Sequence, residues 1–464
     1  MVTGNMGQLM PIGCVPVLPG DTFQANTSAL IRVSPLNTPV MHPVKVRVHH
    51  FFVPNRIVMP DWEDFITGGP TGNSFPSIPQ LQVTATGKKE LPAYLGVPPI
   101  NGLNFNALAV RGFNKIFNEY YRDQDLVTER TEDDVTVPHI AWEKDYFSSA
   151  RPWAQKGPSV SIPMGDTAPI AYDETVADNT EFQAQGLTDR LHRHLNANGT
   201  GNLRTDASLD PTGTPLVADL SQATSPDVND WRAAFALQRY QEARARYGSR
   251  FTEYLRYLGV NPSDQRLQRP EWLGGGTTRL SFSEVLQTGP DTTDAGVGDM
   301  YGHGIAGIKS NKYRKFFEEH GYVYTLLSVR PKAIYMNGTP REYIKATKED
   351  FYQRELVNLG QQEVYESELF ANNSEIVFGF QDRYHEYRSH PSQIQGDFRD
   401  TLNAWHLGRE LQSGVTLNED FVKCDPSRRI FQITDETVDT LWIMANNHIV
   451  ARRLVPKRAN PRIM

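Results

Sequence analysis

Ten residues, Val44 to Val53, set the first limit on how this chain folds. Val44, Val46, Val48, His50 and Phe52 alternate with Lys45, Arg47, His49 and Phe51. A period of two sends the first set to one face of a β-strand and the second to the other. Pro54-Asn55-Arg56 ends the run. Gly321–Val329 is a continuous apolar and aromatic run stopped by Arg330-Pro331. Further strand candidates stand at Ala29–Val33, Ala333–Tyr335, Ser374–Phe380, Arg429–Thr434 and Thr440–Val450. Short strands separated by long loops predict an antiparallel sandwich and argue against a βαβ fold.

Helical periodicity is confined to a few places. Phe105, Leu108, Ala109, Gly112, Phe113, Ile116, Phe117 and Tyr120 share one stripe, which predicts a helix over about 105–121 with Asn104 as its N-cap. A second helix begins near Asn229, with Ala233, Ala236, Leu237, Tyr240, Ala243 and Tyr247 along one face. A short third follows, its apolar positions Phe251, Tyr254, Leu255 and Leu258 spaced i, i+3, i+4, i+7. Gly259 stands where a left-handed C-cap favours glycine, and Asn261-Pro262 forces a turn. An arm with Asp264, Arg266, Gln268 and Arg269 leads through Pro270 to Trp272, Leu273 and three glycines, Gly274 to Gly276. From residues alone the stretch from Tyr247 to Gly276 reads as a rigid corner: a helix packed in the core, a charged arm, an aromatic plug and a glycine stop. Residues 1–40, 60–102 and 288–311 read mainly as loop. The first of these is either an extended arm reaching a neighbouring subunit or a wrapped loop.

The chain has 464 residues, 39% hydrophobic and 22% charged, with 35 Gly and 31 Pro, which describes a folded, loop-rich protein. Its 22 Phe, 19 Tyr and seven Trp suit strands and large interfaces. Cys14 and Cys424, near opposite ends, form neither a disulfide framework nor a four-ligand zinc site, so a reducing compartment is expected. No basic n-region with an apolar core opens the chain, and no apolar run is long enough to span a bilayer. Charge is uneven: between Ser161 and Asp230 eleven Asp or Glu outnumber three Arg, a net −8 within a chain of net −7. Residues 161–228 are also poor in apolar residues. A loop of that length is either functional or disordered. The far end is basic, with Arg452, Arg453, Lys457, Arg458 and Arg462 and no acid after Val450.

Motifs for chemistry are few. Gly302-His303-Gly304-Ile305-Ala306-Gly307 spells GxGxxG, but the preceding DTTDAGVGDMY is no hydrophobic strand. Without one a dinucleotide loop has no helix start to feed, and a glycine-rich linker is expected. His49-His50 cannot chelate one ion from opposite faces of a strand. His192 and His194 lie in the acidic segment beside Asp189, where a solvated loop outweighs a weak metal site. GxxxxGK[ST], HExxH, CxxC and GxSxG are all missing. These readings leave no catalytic residue, cofactor or metal to name. Carboxylates alone leave a carbohydrate-active β-enzyme open, since two suffice and the chain has 54.

Several strings occur together in a fixed order. They are Val15-Pro16-Val17-Leu18-Pro19-Gly20-Asp21, then Asn118-Glu119-Tyr120-Tyr121-Arg122-Asp123, then Asp145 through Trp153 with Gln155-Lys156-Gly157-Pro158. Next come Arg250-Phe251, Gly259-Val260 and Asp264 through Gly275, the last reading DQRLQRPEWLGG. Glu318 through Val323, Phe378-Gly379-Phe380-Gln381 with Glu386-Tyr387-Arg388, and Trp405-His406-Leu407 complete the series. The set resembles major capsid proteins of the microvirus family of small single-stranded DNA phages, its gokushovirus branch in particular. It covers about Val15 to Arg458, with a gap at 161–228.

That resemblance implies a mainly β fold: an eight-stranded viral jelly roll, an antiparallel sandwich with long loop insertions and a few helices. It implies one capsid domain over 1–464, with 161–228 as a variable acidic insertion forming a surface protrusion and 450–464 as a basic tail. It implies no enzyme but a self-assembling subunit of a 60-copy, T=1 icosahedral shell around circular single-stranded DNA, assembled in the host cytoplasm and resident in the virion. Its partners would be further copies of itself, the DNA, a small basic packaging protein, an internal scaffolding protein and a host receptor met by the insertion. DNA contacts are expected at Arg452, Arg453, Lys457, Arg458 and Arg462, with Trp405 and Trp442 as candidates for base stacking. Subunit contacts are expected at Arg266, Gln268, Arg269 and Trp272, and from loops 55–105 and 260–311. A carbohydrate-active enzyme and a spike or tail component stand as the alternatives.

Overall fold

The computed structural model describes residues 1–84, 87–161, 228–289, 296–433 and 435–455 in full, together with the backbone of four short strands between 170 and 218. Contacts divide the chain into two units, Met1–Lys156 with Arg244–Met464, and Gly157–Ala243.

The first unit is built on nine strands: β1 (Val2–Gly4), β2 (Leu9–Val17), β3 (Thr22–Val33), β4 (Val44–Pro54), β5 (Glu271–Leu286), β6 (Met300–Lys309), β7 (Tyr313–Phe316), β8 (Gly321–Pro331) and β9 (Leu441–Arg452). All pair antiparallel in the order β1-β9-β3-β6-β5-β4-β8-β2, with β7 alongside β3. The sixteen-residue β5 joins two layers, since Glu271–Leu280 pairs with β4 and Ser281–Leu286 with β6. The layers face one another, and Asn447 Nδ2 of β9 donates to the Ile12 carbonyl of β2 at 2.9 Å. This is the expected mainly β, jelly-roll-like architecture.

Alternation along β3 and β4 explains the layering. Val44, Val46 and Val48 pack against Ala29, Ile31, Val33, Ala306, Ile308 and Ile443 between the layers. A smaller cluster of Phe23, Ala25, Phe52, Tyr313, Phe317 and Val323 fills the other end. Between the two clusters lies a polar layer. His50 contacts Thr325 Oγ1 at 3.1 Å and Ser310 Oγ at 2.9 Å, and the Thr27 amide donates to the same serine oxygen at 2.8 Å. Burial lowers the His50 pKa to about 4, so the ring is neutral and every buried polar atom in this chain of contacts needs its partner. The second face of the β2-β8-β4 layer is covered too. Phe51, Val53, Tyr324 and Leu326 pack on Leu108, Val110, Phe113 and Ile116 of helix α1 (Leu108–Ile116) and on loops from the C-terminal third. A strand buried on both faces is why Gly321–Val329 reads as continuous apolar sequence.

Several expectations are corrected. Leu9–Val17 is neither a free arm nor a wrapped loop but a strand hydrogen-bonded along β8. Helix α1 starts at Leu108, whose amide is met by Asn106 Oδ1 at 2.8 Å; Asn104 caps nothing and pairs with Gln82 in a short strand. Gly302–Gly307 belongs to β6 and not to a linker: a Cβ on Gly302 would stand 2.4 Å from the Thr38 carbonyl oxygen, so glycine admits a close backbone approach. Gly274–Gly276 continue β5 across a bulge and do not stop the chain. Much of 260–311 is therefore sheet. Ala333–Tyr335 and residues 429–433 form isolated bridges at most, and the Ser374–Phe380 candidate lies slightly later, at Val377–Asp382. Thr434 lies outside the described residues.

In the second unit, Ile170–Tyr172 pairs with Leu216–Ala218, and Gln183–Ala184 with Leu203–Arg204. Helix α2 (Val228–Tyr247) closes it, its last four residues from Arg244 counting with the first unit. No described helix is long and apolar enough to cross a membrane.

Candidate functional site

The segment following α2 is anchored residue by residue. Gly248 turns the chain at φ +95. Ser249 Oγ donates to Asp125 Oδ1 at 2.6 Å, and Lys156 Nζ reaches the same oxygen at 2.7 Å. The Arg250 guanidinium donates to the carbonyls of Asn118, at 2.6 Å, and Arg122, at 3.0 Å. It thereby satisfies carbonyls at the end of the Phe117–Tyr121 turn that continues α1. Helix α3 (Phe251–Tyr257) starts there, with Glu253 accepting from the Arg250 amide at 3.2 Å and from Gln124. Gly259 ends it at φ +82, and the Val260 amide returns to the Leu255 carbonyl at 2.9 Å, a Schellman closure.

Next comes the arm. Arg269 is only 7% exposed and lies over the Tyr120 ring with its guanidinium carbon 4.4 Å from the centroid. Its Nε meets Asp264 Oδ1 at 3.2 Å and Tyr120 Oη at 3.2 Å, while Tyr120 Oη donates to the Pro270 carbonyl at 2.6 Å. Gln268 takes φ +54, unusual for a non-glycine residue, and accepts from Arg56, which grips Glu319 through two nitrogens at 3.0 Å. Trp272, 48% exposed, leans on His49 and Phe51 with ring centroids 5.0 and 5.8 Å away. His49 in turn meets Tyr121 Oη at 2.7 Å, and burial lowers its pKa to about 4. After Trp272 the strand bulges and Gly275 slides beneath β4, where a Cβ would stand 2.4 Å from the Val48 carbonyl oxygen.

The polar anchors of this segment turn inward, and most apolar side chains of 247–260 turn out. Tyr247, Phe251, Tyr254, Tyr257, Leu258 and Val260 are exposed, Phe251 at 61%. The core packing expected of the 251–258 stripe does not occur among the described residues. Rings instead gather on the surface, Tyr247 and Tyr257 with centroids 4.3 Å apart. Each of the four aromatics leaves about 100 Å² in water, so the patch exceeds the few hundred Å² at which an exposed apolar surface signals a partner.

Of the four residues expected at subunit contacts, Arg266, Gln268 and Trp272 are exposed and Arg269 is enclosed. Among the basic candidates, Arg452 is exposed at the end of β9. Arg453 turns back, its Nε 3.0 Å from Oδ2 of the fully buried Asp21 and its charge over Phe23. Lys457, Arg458 and Arg462 lie outside the described residues, as do His192 and His194. Trp442 is exposed on β9, whereas Trp405 is half-buried beneath the Met41 amide, which donates to its carbonyl at 2.7 Å. Among the described residues no three His, Cys, Asp or Glu gather at metal-binding distance. Periodicity found the aromatic stripe but could not show that it is uncovered. The Arg453 anchor had no signal in sequence beyond charge, and Arg250 was marked only by the Arg250-Phe251 pair of the resemblance.

Residues 1–461 match the family model described as "Capsid protein (F protein)". Among curated relatives, Capsid protein VP1 of Bdellovibrio phage phiMH2K is 33% identical over 472 residues, covering 93% of this chain and 88% of the relative. Capsid protein VP1 of Chlamydia phage 1 is 29% identical over 532 residues, 94% and 89% of the two chains. Capsid protein F of Escherichia phage G4 is more distant, 22% identical over 333 residues, 70% and 63% of the two chains.

Proposed function

The chain belongs to the phage capsid protein (F protein) family, and on that premise we propose that it is the subunit of a 60-copy, T=1 icosahedral shell enclosing circular single-stranded DNA. The observation that carries the assembly reading is the outward apolar surface of 247–260. It is fixed to the jelly roll by Arg250 and Arg269, with Trp272 beside it, and is left in water. In a shell made of one chain, a surface that needs a cover finds it on the next copy. Arg266, Gln268 and Trp272 rim that contact, and Arg269 holds the arm in place from inside. The work is mechanical and not catalytic: permanent interfaces bury about 2,000–5,000 Å² in total, with aromatics at their centres.

The acidic 161–228 segment is the external protrusion that meets the host receptor, because its charge repels packaged DNA. Arg452, Lys457, Arg458 and Arg462 meet the DNA phosphates. A small basic packaging protein, an internal scaffolding protein and a cytoplasmic site of assembly complete the reading, with the virion as final location. Electron microscopy of the purified chain tests it. Sixty-subunit shells support the reading, and monomers that hydrolyse glycans, trimers or fibres overturn it. Removal of 170–220 should leave shells and abolish adsorption to host cells; normal adsorption would remove the attachment role.

A further inference from the structure

A second surface of the first unit is built as the 247–260 segment is. The chain from Arg341 to Leu359 is tied to the hairpin of Gln361–Tyr365 and Val377–Asp382 by polar groups that turn inward. Arg341 Nη1 meets Oε1 of the buried Glu368 at 2.7 Å. Lys345 Nζ meets Glu386 Oε1 at 3.1 Å and Tyr387 Oη at 2.9 Å, and stands 4.0 Å from the centre of the Tyr387 ring. Asp350 Oδ2 accepts from the amides of Ala346 and Thr347 at 3.1 and 2.8 Å. Tyr384 Oη donates to the Glu349 carbonyl at 3.1 Å and accepts from the Gln353 amide at 3.2 Å. What these anchors leave in water is apolar: Tyr343 at 76% exposure, Leu359 at 66%, and Phe351, Tyr352 and Tyr387 each more than half exposed.

Three observations join this surface to 247–260. First, the two adjoin. Arg246, the residue before Tyr247, sets its Nε 2.9 Å from Oδ1 of Asp382, which leads directly into the Tyr384–Tyr387 turn. Second, their charges are opposite. The fully exposed charges of 247–268 are the cations Arg256 and Arg266. In 341–388, by contrast, Glu342, Glu349, Glu355, Glu363 and Glu375 outnumber Lys348, Arg354 and Arg388. Among the described residues the side chains of Arg256, Arg266, Glu342 and Glu355 have no hydrogen bond or ion pair. Third, the areas fit. With about 100 Å² left in water by each exposed ring, the two surfaces together present about 1,000 Å² per copy. A pair of copies covering both would bury about 2,000 Å², the lower end of permanent interfaces. Either surface set against its own twin would bury only about half of that, short of the roughly 1,200 Å² of a specific interface. Such a twin contact at 247–260 would also bring Arg256 and Arg266 against themselves.

We propose that the two surfaces are halves of one two-fold contact, in which 247–260 of each copy covers the Tyr343–Tyr387 surface of the other. The inference deepens the reading above, on which it rests: it names what covers 247–260 and the symmetry of that contact. In an isologous pair every contact occurs twice, so two adjoining, complementary surfaces are both satisfied by a single second copy. Rings fill the centre, and Arg256 and Arg266 meet Glu342 and Glu355 at the rim.

The test uses the full chain at concentrations below those that give shells, with mass read by sedimentation equilibrium. The wild-type chain should form dimers. Arg256→Glu with Arg266→Glu makes both surfaces acidic, and Glu342→Lys with Glu355→Lys makes both basic. Each variant alone should dimerise at least about tenfold more weakly, with its melting temperature unchanged because all four side chains are exposed and unpaired. An equimolar mixture of the two should regain wild-type dimerisation, since every surface then meets its opposite. Phe251→Ser should weaken the dimer by about thirtyfold. Unchanged dimerisation in either charge variant overturns the proposal, as does a mixture no stronger than its components. Association that proceeds to trimers or pentamers overturns the two-fold assignment. Microscopy at higher concentration keeps the two readings apart. Wild-type dimers that never form shells sink the capsid reading and leave this contact standing, whereas shells whose yield neither charge variant alters sink this contact alone.

Discussion

Replacing Arg269 and Arg266 separately should split folding from assembly. Arg269→Ala removes the ion pair to Asp264, the hydrogen bond to Tyr120 Oη and the cation over the Tyr120 ring. The Asp264 side chain keeps 30% of its surface in water, so screening limits the ion pair to about 1 kcal/mol. The hydrogen bond contributes about 1 kcal/mol and the ring contact a similar amount, because Arg269 itself is enclosed. The arm should therefore lose about 3 kcal/mol. In a chain of 464 residues a loss confined to one arm is best read locally. Amide exchange at Leu267, Gln268 and Arg269, whose N–H groups bond within the arm, should accelerate about a hundredfold. Arg266 is exposed and has no hydrogen bond or ion pair among the described residues, so Arg266→Ala should change exchange by less than the equivalent of about 0.5 kcal/mol while lowering particle yield. Equal exchange in wild type and Arg269→Ala would refute the anchoring argument, and faster exchange in Arg266→Ala would refute the division between the two arginines.

Other substitutions probe the scaffold. His42, His49 and His50 each have a pKa lowered to about 4, in every case chiefly by burial. The unfolded chain takes up these protons first, so stability is full above about pH 6.5 and declines as pH falls towards 4, at up to about 1.4 kcal/mol per pH unit per histidine. His50→Gln should flatten a plot of melting temperature against pH across that window, and an unchanged slope would count against it. Gly275→Ala forces a Cβ against the Val48 carbonyl and should cost about 3 kcal/mol, visible as lost soluble yield, whereas Gly259→Ala meets open space and carries only the φ +82 penalty of about 1 kcal/mol. Arg453→Ala leaves the buried Asp21 carboxylate with no cation opposite it and only the Leu18 amide, which donates to its Oδ2 at 2.9 Å; with Arg453 one-third exposed, a loss of about 2 kcal/mol in thermal stability is expected, and Asp21→Asn in the same chain should restore part of it.

Legibility of the fold followed how much one element reveals about its neighbours. β4 was readable because its two faces meet different surroundings, so charged and apolar residues alternate. β8 was readable for the opposite reason, buried on both sides. β2 was hidden by its prolines: Pro11 and Pro16 look like loop, yet both are paired along β8, with an irregularity near Thr325. Proline is tolerated on an edge strand, and β2 ends the sheet order. The glycines of β5 and β6 misled in the same way. Local rules assign glycine to turns, but Gly275 and Gly302 are set by carbonyls of Val48 and Thr38, contacts 227 and 264 residues away that no window along the sequence contains.

The candidate site shows why periodicity alone could not assign it. Phe251, Tyr254, Leu255 and Leu258 keep the same spacing whether the stripe packs into its own core or onto another subunit. The polar residues around them decide between the two. In a core helix the polar face meets solvent; here Arg250, Thr252 and Glu253 are the residues held against the body of the chain. Arg250 closes the carbonyls of the Phe117–Tyr121 turn, and Arg269 sits on Tyr120 of the same turn, so both ends of the segment are pinned to one rigid support. Such anchoring fixes the direction of α3 before any partner arrives, and with it the ordering entropy that docking would otherwise cost. An apolar helix held inside-out on fixed supports leaves its stripe uncovered among the described residues, which is the ground for proposing a second copy of the chain as its cover.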